Sequence, residues 1–138
     1  MFTEWAKAYY IHQDRKSVAD TIIIYRENLS DEQARLQLKN CEIEALHGTF
    51  AKLSKGTPFK NYSPEVSIVL VNQKSNDRFF EQNNNGSQFY NPKSGSIIID
   101  GMSKNNQYDF HLTPQNVTKG SCSPTLFKVA YDTTTLSQ

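Results

Sequence analysis

Apolar side chains occur along this chain in two patterns, short runs and a helical spacing, and these patterns predict its elements. Residues 20–26 and 66–71 are short segments whose side chains are mainly β-branched or aliphatic, and such segments favour strands. The second run lacks polar alternation, so we expect a strand buried on both faces, as in a parallel sheet. After Ser30 the spacing becomes helical, with apolar residues at Leu36, Ile43, Leu46, Phe50 and Leu53. Strand, helix and strand in this order predict an α/β core with a right-handed crossover.

The remaining segments extend this α/β pattern in both directions. Residues 2–13 have apolar side chains at helical spacing, which predicts an amphipathic helix packed on the sheet. Residues 81–94 are rich in asparagine and predict a loop. Strands are predicted at 96–100, 108–112 and 127–131, and the last two are expected to be half-buried because apolar and polar residues alternate.

Glu27 follows the first predicted strand and is a candidate site residue. Ser30 and Gln33 have the spacing of a capping box that opens a helix, so Glu27 lies at the carboxyl end of the strand. In open α/β sheets ligands bind at this edge, because loops there carry polar groups while the strands stay packed. Glu27 is therefore a candidate metal ligand, and the alternative is a surface acid that caps the following helix.

The sequence around Glu27 resembles the PIWI domain of Argonaute proteins. Tyr25–Asn28 corresponds to the family's usual Tyr-Arg-Asp-Gly, and the stretch from Gln33 to Glu42 is one residue longer than the common family pattern. Six blocks resemble family landmarks in the family's order: 21–28, 66–80, 91–100, 108–112, 120–125 and 128–132. The resemblance covers essentially the whole chain but only the later part of the domain, so residues 1–138 are interpreted as a partial PIWI domain.

The resemblance implies a ribonuclease-H-like α/β fold, with a mixed sheet flanked by helices, that is incomplete in this chain. The family's opening strands supply the first catalytic aspartate and the middle of the sheet, and they have no counterpart here. We expect this to leave apolar strand faces uncovered and the chain alone to be poorly stable. The other Argonaute domains are expected in an intact parent protein.

The resemblance also implies a site for cutting nucleic acid. Slicing members of the family hold two divalent ions, Mg²⁺ or Mn²⁺, on clustered acids and cut the target strand of a guide–target duplex. Glu27 occupies the position of a family aspartate and is thus the candidate catalytic residue and metal ligand. Its side chain is one methylene longer, and Asn28 replaces the usual glycine, so we expect impaired slicing. No cleavage is expected from this chain alone.

Guide binding is the second role that the resemblance implies. Lys74 and Arg78 match basic positions that contact the guide backbone in the family. Ser121, Ser123 and Thr125 lie in a loop that resembles a guide-contacting segment. The expected partners are therefore a small guide RNA and a complementary target RNA.

Charge and composition narrow this interpretation only slightly. With 15 basic and 14 acidic residues the formal net charge is +1, so any RNA contact must come from a local cluster. Asp77 replaces the family's usual threonine and adds a negative charge beside Arg78, for which an ion pair with an acid is the alternative role. Cys41 and Cys122 lack zinc-site spacing and are expected to be reduced. No run is long enough to span a membrane, and an intracellular location, cytoplasmic or nuclear, is expected.

Two main hypotheses for function follow. In the first, the chain is part of an Argonaute/Piwi protein that binds a small guide RNA, recognises complementary targets and silences them without efficient cutting. In the second, the intact parent is an RNA-guided, metal-dependent endonuclease in which Glu27 replaces the usual aspartate. A third hypothesis is an unrelated ribonuclease-H-like enzyme or a degenerate remnant.

Overall fold

The computed structural model describes residues 4, 7–9, 11, 18–27, 38–55, 59–73, 75–99 and 109–134. The strands within these residues are β1 (Thr21–Glu27), β2 (Glu65–Asn72), β3 (Glu81–Gln82), β4 (Phe89–Tyr90), β5 (Ile97–Ile99), β6 (Asp109–Leu112) and β7 (Thr125–Asp132). Helix α1 spans Ile43–Leu53 and follows a π-helical turn at Leu38–Glu42. Residues 4, 7–9 and 11 are also helical, as predicted for that segment.

Five of the strands form one mixed sheet in the order β1-β2-β7-β6-β5. Strands β1 and β2 begin at the same end, because the N–H of Glu65 donates to the C=O of Asp20 at 2.9 Å. Strand β7 ends where β2 begins, because the N–H of Thr133 donates to the C=O of Val66 at 2.9 Å. Strands β5, β6 and β7 pair antiparallel to one another in sequence order. The predicted α/β fold with a mixed sheet is confirmed.

The chain divides into two compact units, and the first contains α1. The buried residues of this unit include an aromatic cluster, in which the rings of Phe50 and Phe59 pack edge-on against Tyr62, with centroids 6.0 and 5.9 Å away. The Tyr62 hydroxyl donates to the C=O of Ala19 at 3.0 Å. Burial raises the pKa of the Tyr62 phenol, and the negative charge of Asp20 acts in the same direction.

Helix α1 confirms the described part of the predicted helical stripe. Phe50 and Leu53 are buried, as is Leu38 in the π-helical turn. The predicted start of the helix lies outside the described residues. No described helix is long and apolar enough to cross a membrane.

The strands at the edges of the sheet differ from β2. Every residue from 66 to 70 is buried, which confirms the strand buried on both faces. Edge strand β1 alternates instead: Ile22 is buried, whereas Ile23 and Tyr25 are exposed. At the other edge, Ile97 and Ile99 of β5 are also exposed. Among the described residues, apolar side chains are thus exposed on both of these strands.

The asparagine-rich segment 81–94 contains a β-hairpin, so the prediction of a loop throughout was wrong. Strands β3 and β4 pair antiparallel across a turn that begins at Asn83. The Asn83 carbonyl accepts the N–H of Gly86 at 2.9 Å, and its side-chain oxygen accepts the N–H of Ser87 at 3.0 Å. Gly86 has a φ of +69°, which glycine adopts without steric cost. Strands of two residues show no alternation that sequence analysis can detect.

Candidate nucleic-acid interface

The second compact unit contains residues 68–131 and the end of β1, and Glu27 lies at that strand end. Glu27 is exposed beside an open recess of about 370 Å³, which is lined by Tyr25, Arg26, Glu27, Val71 and Gln73. Since Val71 and Gln73 come from the end of β2, the carboxyl ends of two parallel strands meet at this recess. Glu27 therefore lies where the sequence placed it, at the carboxyl end of β1, and its role as a site residue stays a prediction.

The described residues around Glu27 do not themselves form a metal site. Nowhere in the described part of the chain do three or more His, Cys, Asp or Glu side chains come together to hold a metal ion. Magnesium requires near-octahedral oxygen coordination, and a two-metal site requires several such ligands. One carboxylate does not meet that requirement, so the described donor set does not fit a pair of Mg²⁺ or Mn²⁺ ions.

In the segment after β2, Ser75 is buried. The Ser75 hydroxyl donates to the Asp77 carboxylate at 2.6 Å. Arg78 donates from Nη1 to the C=O of Ser75 at 2.9 Å and to the C=O of Asp77 at 2.6 Å. The guanidinium is thus oriented by main-chain carbonyls, while the Asp77 carboxylate makes its hydrogen bonds elsewhere. Arg78 itself is exposed, and these bonds use two of its five N–H donors.

Asp77 also contacts a buried histidine that the sequence analysis did not connect with it. The distance between Asp77 Oδ2 and His111 Nε2 is 3.0 Å, and the His111 ring packs edge-on against Phe79 at 4.8 Å between centroids. Hydrogen bonds from Ser75 and then His111 hold the pKa of the Asp77 carboxyl below its usual value of 3.8. The negative charge beside Arg78 is therefore partly compensated within the protein. The contact joins residues 34 apart, and no motif in the sequence links them.

The loop before β7 places Ser123 close to Arg78, and both residues are predicted guide contacts. Ser121 and Ser123 are exposed on this loop, and Thr125 is the half-buried first residue of β7. The Ser123 hydroxyl donates to the C=O of Ser75 at 3.5 Å, which is the same carbonyl that accepts Arg78. Ser123 and Arg78 therefore meet at one main-chain oxygen.

The remaining predicted guide contact is Lys74, which lies outside the described residues. Sequence analysis also gave no role to Asn91, although it begins one of the recognised blocks. Its side chain donates to the C=O of Gly120 at 2.8 Å and accepts the N–H of Cys122 at 2.9 Å. Asn91 thus holds the loop on both sides of Ser121.

Known proteins resemble this chain in both sequence and structure. Piwi-like protein Ago3 of Bombyx mori is 34% identical over 113 residues, which are 82% of this chain and 11% of that protein. Piwi-like protein 3 of Homo sapiens is 32% identical over 128 residues, which are 91% of this chain and 13% of that protein. The chain therefore spans only about a tenth to an eighth of the length of these curated relatives.

Two solved structures show the same fold. The crystal structure of Drosophila Piwi matches with a TM-score of 0.72 and 27% identity, over 99% of this chain and 17% of that one. Kluyveromyces polysporus Argonaute, solved with a guide RNA, matches with a TM-score of 0.76 at 19% identity, over 97% of this chain and 17% of that one. The family model of the Piwi domain matches residues 1–138. The resemblance inferred from six ordered blocks is thus confirmed, and the chain belongs to the Piwi domain family.

Proposed function

We propose that this chain is part of an Argonaute/Piwi protein that binds a small guide RNA and recognises complementary target RNA in RNA-mediated silencing. Family membership gives the class of function. The observation that carries the proposal for these residues is the shared Ser75 carbonyl, which brings Arg78 and Ser123 together on exposed loops. The other domains of the parent protein would complete the RNA-binding surface. Its RNA partners would be met inside the cell, in the cytoplasm or the nucleus.

The chemistry of guide binding suits the exposed groups in these loops. A guide phosphate is recognised by cations and by hydrogen-bond donors that do not distinguish bases, while sequence is read by guide–target pairing. Arg78 provides a cation that two carbonyls already orient, so less side-chain entropy is lost when a phosphate binds. Ser121 and Ser123 provide exposed hydroxyls. Because the formal net charge is only +1, the chain can attract RNA only through a local cluster of such groups.

We propose further that the parent protein silences without efficient cutting. Glu27 carries its carboxylate one methylene farther from the backbone than the usual aspartate, which would place the carboxylate oxygens differently from what a metal ion at this site requires. Mg²⁺ or Mn²⁺ would be a cofactor only if the intact site is catalytic, with its other ligands from residues beyond those described. No observation specifically favours the endonuclease alternative.

Replacing Arg78 by glutamine in the intact parent tests guide binding directly. Arg78→Gln should lower guide affinity and make its logarithmic salt dependence shallower by about 0.7 for each lost phosphate contact. Lys60→Gln is the control, because Lys60 is an exposed cation of the first compact unit. Guide affinity and salt slope should not change in this variant. An Arg78→Gln protein with the wild-type affinity and slope would remove Arg78 from the RNA interface.

A further inference from the structure

Asn91 makes several hydrogen bonds to one distant loop. Its Nδ2 donates to the C=O of Gly120 at 2.8 Å and to the C=O of Val117 at 3.4 Å, and its Oδ1 accepts the N–H of Cys122 at 2.9 Å. A single amide side chain supplies both a donor and an acceptor, so it can pair with a peptide chain much as a neighbouring strand does. The loop is thus fixed at the peptide bonds on either side of Ser121.

These two peptide bonds determine where the polar groups of Ser121 point. In a planar trans peptide, the C=O and the N–H point in opposite directions. Since the C=O of Gly120 faces Asn91, the N–H of Ser121 faces away from it. Gly120 has a φ of +82°, a conformation that favours glycine. The Ser121 N–H is thus directed away from the amide that holds the loop, and Ser121 also carries an exposed hydroxyl.

A second asparagine connects the same segments but with a simpler bond. Asn116 Oδ1 accepts the N–H of Ser94 at 2.8 Å, and the Ser94 hydroxyl donates to the C=O of Pro114 at 3.1 Å. In its contact with Ser94, Asn116 acts only as an acceptor, whereas Asn91 acts as donor and acceptor. Asn116→Asp would preserve the bond to Ser94, because aspartate still accepts a hydrogen bond. Asn91→Asp would keep the bond from the Cys122 N–H but lose the bond to the Gly120 carbonyl. The chain thus offers a matched pair of variants.

We infer that Asn91 is a positioning residue for guide binding, because it fixes the Gly120–Ser121 peptide so that the Ser121 N–H and hydroxyl face a guide phosphate. The inference rests on the proposed function, since it assigns a main-chain donor to the same RNA interface. A phosphate oxygen accepts hydrogen bonds from main-chain N–H groups whatever the base sequence. A donor that is oriented before binding loses less entropy than one that must be ordered by the ligand.

Asn91→Asp and Asn116→Asp in the intact parent test this inference. Both variants add one negative charge to the same pair of segments. Asn91→Asp keeps the acceptor for Cys122 but places an oxygen opposite the Gly120 carbonyl, which should turn that peptide away. Guide affinity should fall about tenfold more in Asn91→Asp than in Asn116→Asp, the loss expected for one charge-assisted hydrogen bond. Equal affinities in the two variants would overturn the inference.

Guides with a methylphosphonate at one position at a time distinguish positioning from general damage to the fold. In the wild-type protein, the neutral group at the contacted position should weaken binding. In Asn91→Asp this sensitivity should disappear at that position and persist elsewhere. A variant that binds more weakly but keeps the whole wild-type pattern of sensitivity would show a purely structural role for Asn91.

Gly120→Ala perturbs the same peptide by another route and serves if Asn91→Asp does not fold. A Cβ at Gly120 would meet nothing within 4 Å, so only the backbone conformation is disturbed. It should remove the same phosphate sensitivity, and a retained sensitivity would count against the inference. Comparison with Arg78→Gln distinguishes a failure of the inference about Asn91 from a failure of the proposed RNA interface. If Arg78→Gln weakens guide binding while Asn91→Asp does not, only the role of Asn91 fails; if neither variant has an effect, the proposed interface fails as a whole.

Discussion

The aromatic cluster of Phe50, Phe59 and Tyr62 and the loops of the candidate interface are held by different forces. The cluster consists of buried rings in edge-on contact, so its stability comes from apolar surface removed from water. The loops are held by hydrogen bonds to main-chain groups, such as those from Arg78 and Asn91. Apolar contact has no direction, whereas a hydrogen bond fixes the orientation of a particular donor. The cluster therefore supports the fold, whereas the hydrogen bonds of the loops fix the directions of particular polar groups.

The largest expected effect on stability lies in the aromatic cluster. Phe50→Ala should lower the local free energy of unfolding by about 3–5 kcal/mol, because it removes a buried ring and leaves a cavity. Hydrogen exchange of the α1 amides in the intact parent would measure this loss. Phe80→Ala is the control: residue Phe80 is 53% exposed, and the expected change in the free energy of unfolding is within about 0.5 kcal/mol. Similar losses in both variants would show that the cluster does not dominate the stability of its unit.

Substitution of Glu27 is expected to change activity rather than stability. Glu27→Asp should raise Mg²⁺-dependent cleavage of a matched target by the parent protein, by up to about 100-fold, since a misplacement of about 1 Å can cost that much. Glu65→Asp makes the same substitution at an exposed residue that begins β2, and it should have no effect. Equal cleavage by the wild-type parent and its Glu27→Asp variant would contradict the proposal of an impaired site.

Tyr62 allows the polar part of the aromatic cluster to be measured separately. Tyr62→Phe keeps the ring but removes the hydrogen bond to Ala19, so it should cost about 1 kcal/mol near neutral pH. The pKa of Tyr62 is raised in the folded protein, so its stabilising contribution is present below the usual value of 10.0 and is lost as the pH rises above it. The Tyr62→Phe protein should lack this alkaline loss. Denaturation would measure the free energy of unfolding of the wild type and of Tyr62→Phe from pH 8 to pH 11. If the difference between the two proteins stayed constant over this range, ionisation of the Tyr62 phenol would not be coupled to folding.

Replacement of Asp77 should have the smallest effect on stability, and only at acidic pH. Its pKa is lowered in the folded protein, so its contribution is present above the usual value of 3.8 and is lost as the pH falls below it. Because the Asp77 side chain is 56% exposed, solvent screening keeps this contribution small. Asp77→Asn should therefore lose less stability than the wild type when the pH is lowered from 5 to 2.5. Acid denaturation midpoints would measure the difference, and identical pH dependence would exclude the contribution.

The apolar part of the fold could be predicted from the sequence because burial leaves a pattern of apolar residues in it, either a continuous run or a helical spacing. The run at 66–70 became a fully buried strand, and the spacing of Phe50 and Leu53 became the buried face of α1. Glu27 could also be placed, since strand ends follow from where an apolar run stops. The contacts of Asn91 and the Asp77–His111 pair could not, because they join polar groups 26 to 34 positions apart without any period.

The central claim is that these loops hold a guide backbone, and a structure of the intact parent bound to a guide RNA tests it most directly. A guide phosphate oxygen should lie about 3 Å from a guanidinium nitrogen of Arg78, and another phosphate should lie at the same distance from the Ser121 N–H. A guide whose backbone passes away from both residues, with Arg78 still bonded only to the carbonyls of Ser75 and Asp77, would contradict the account.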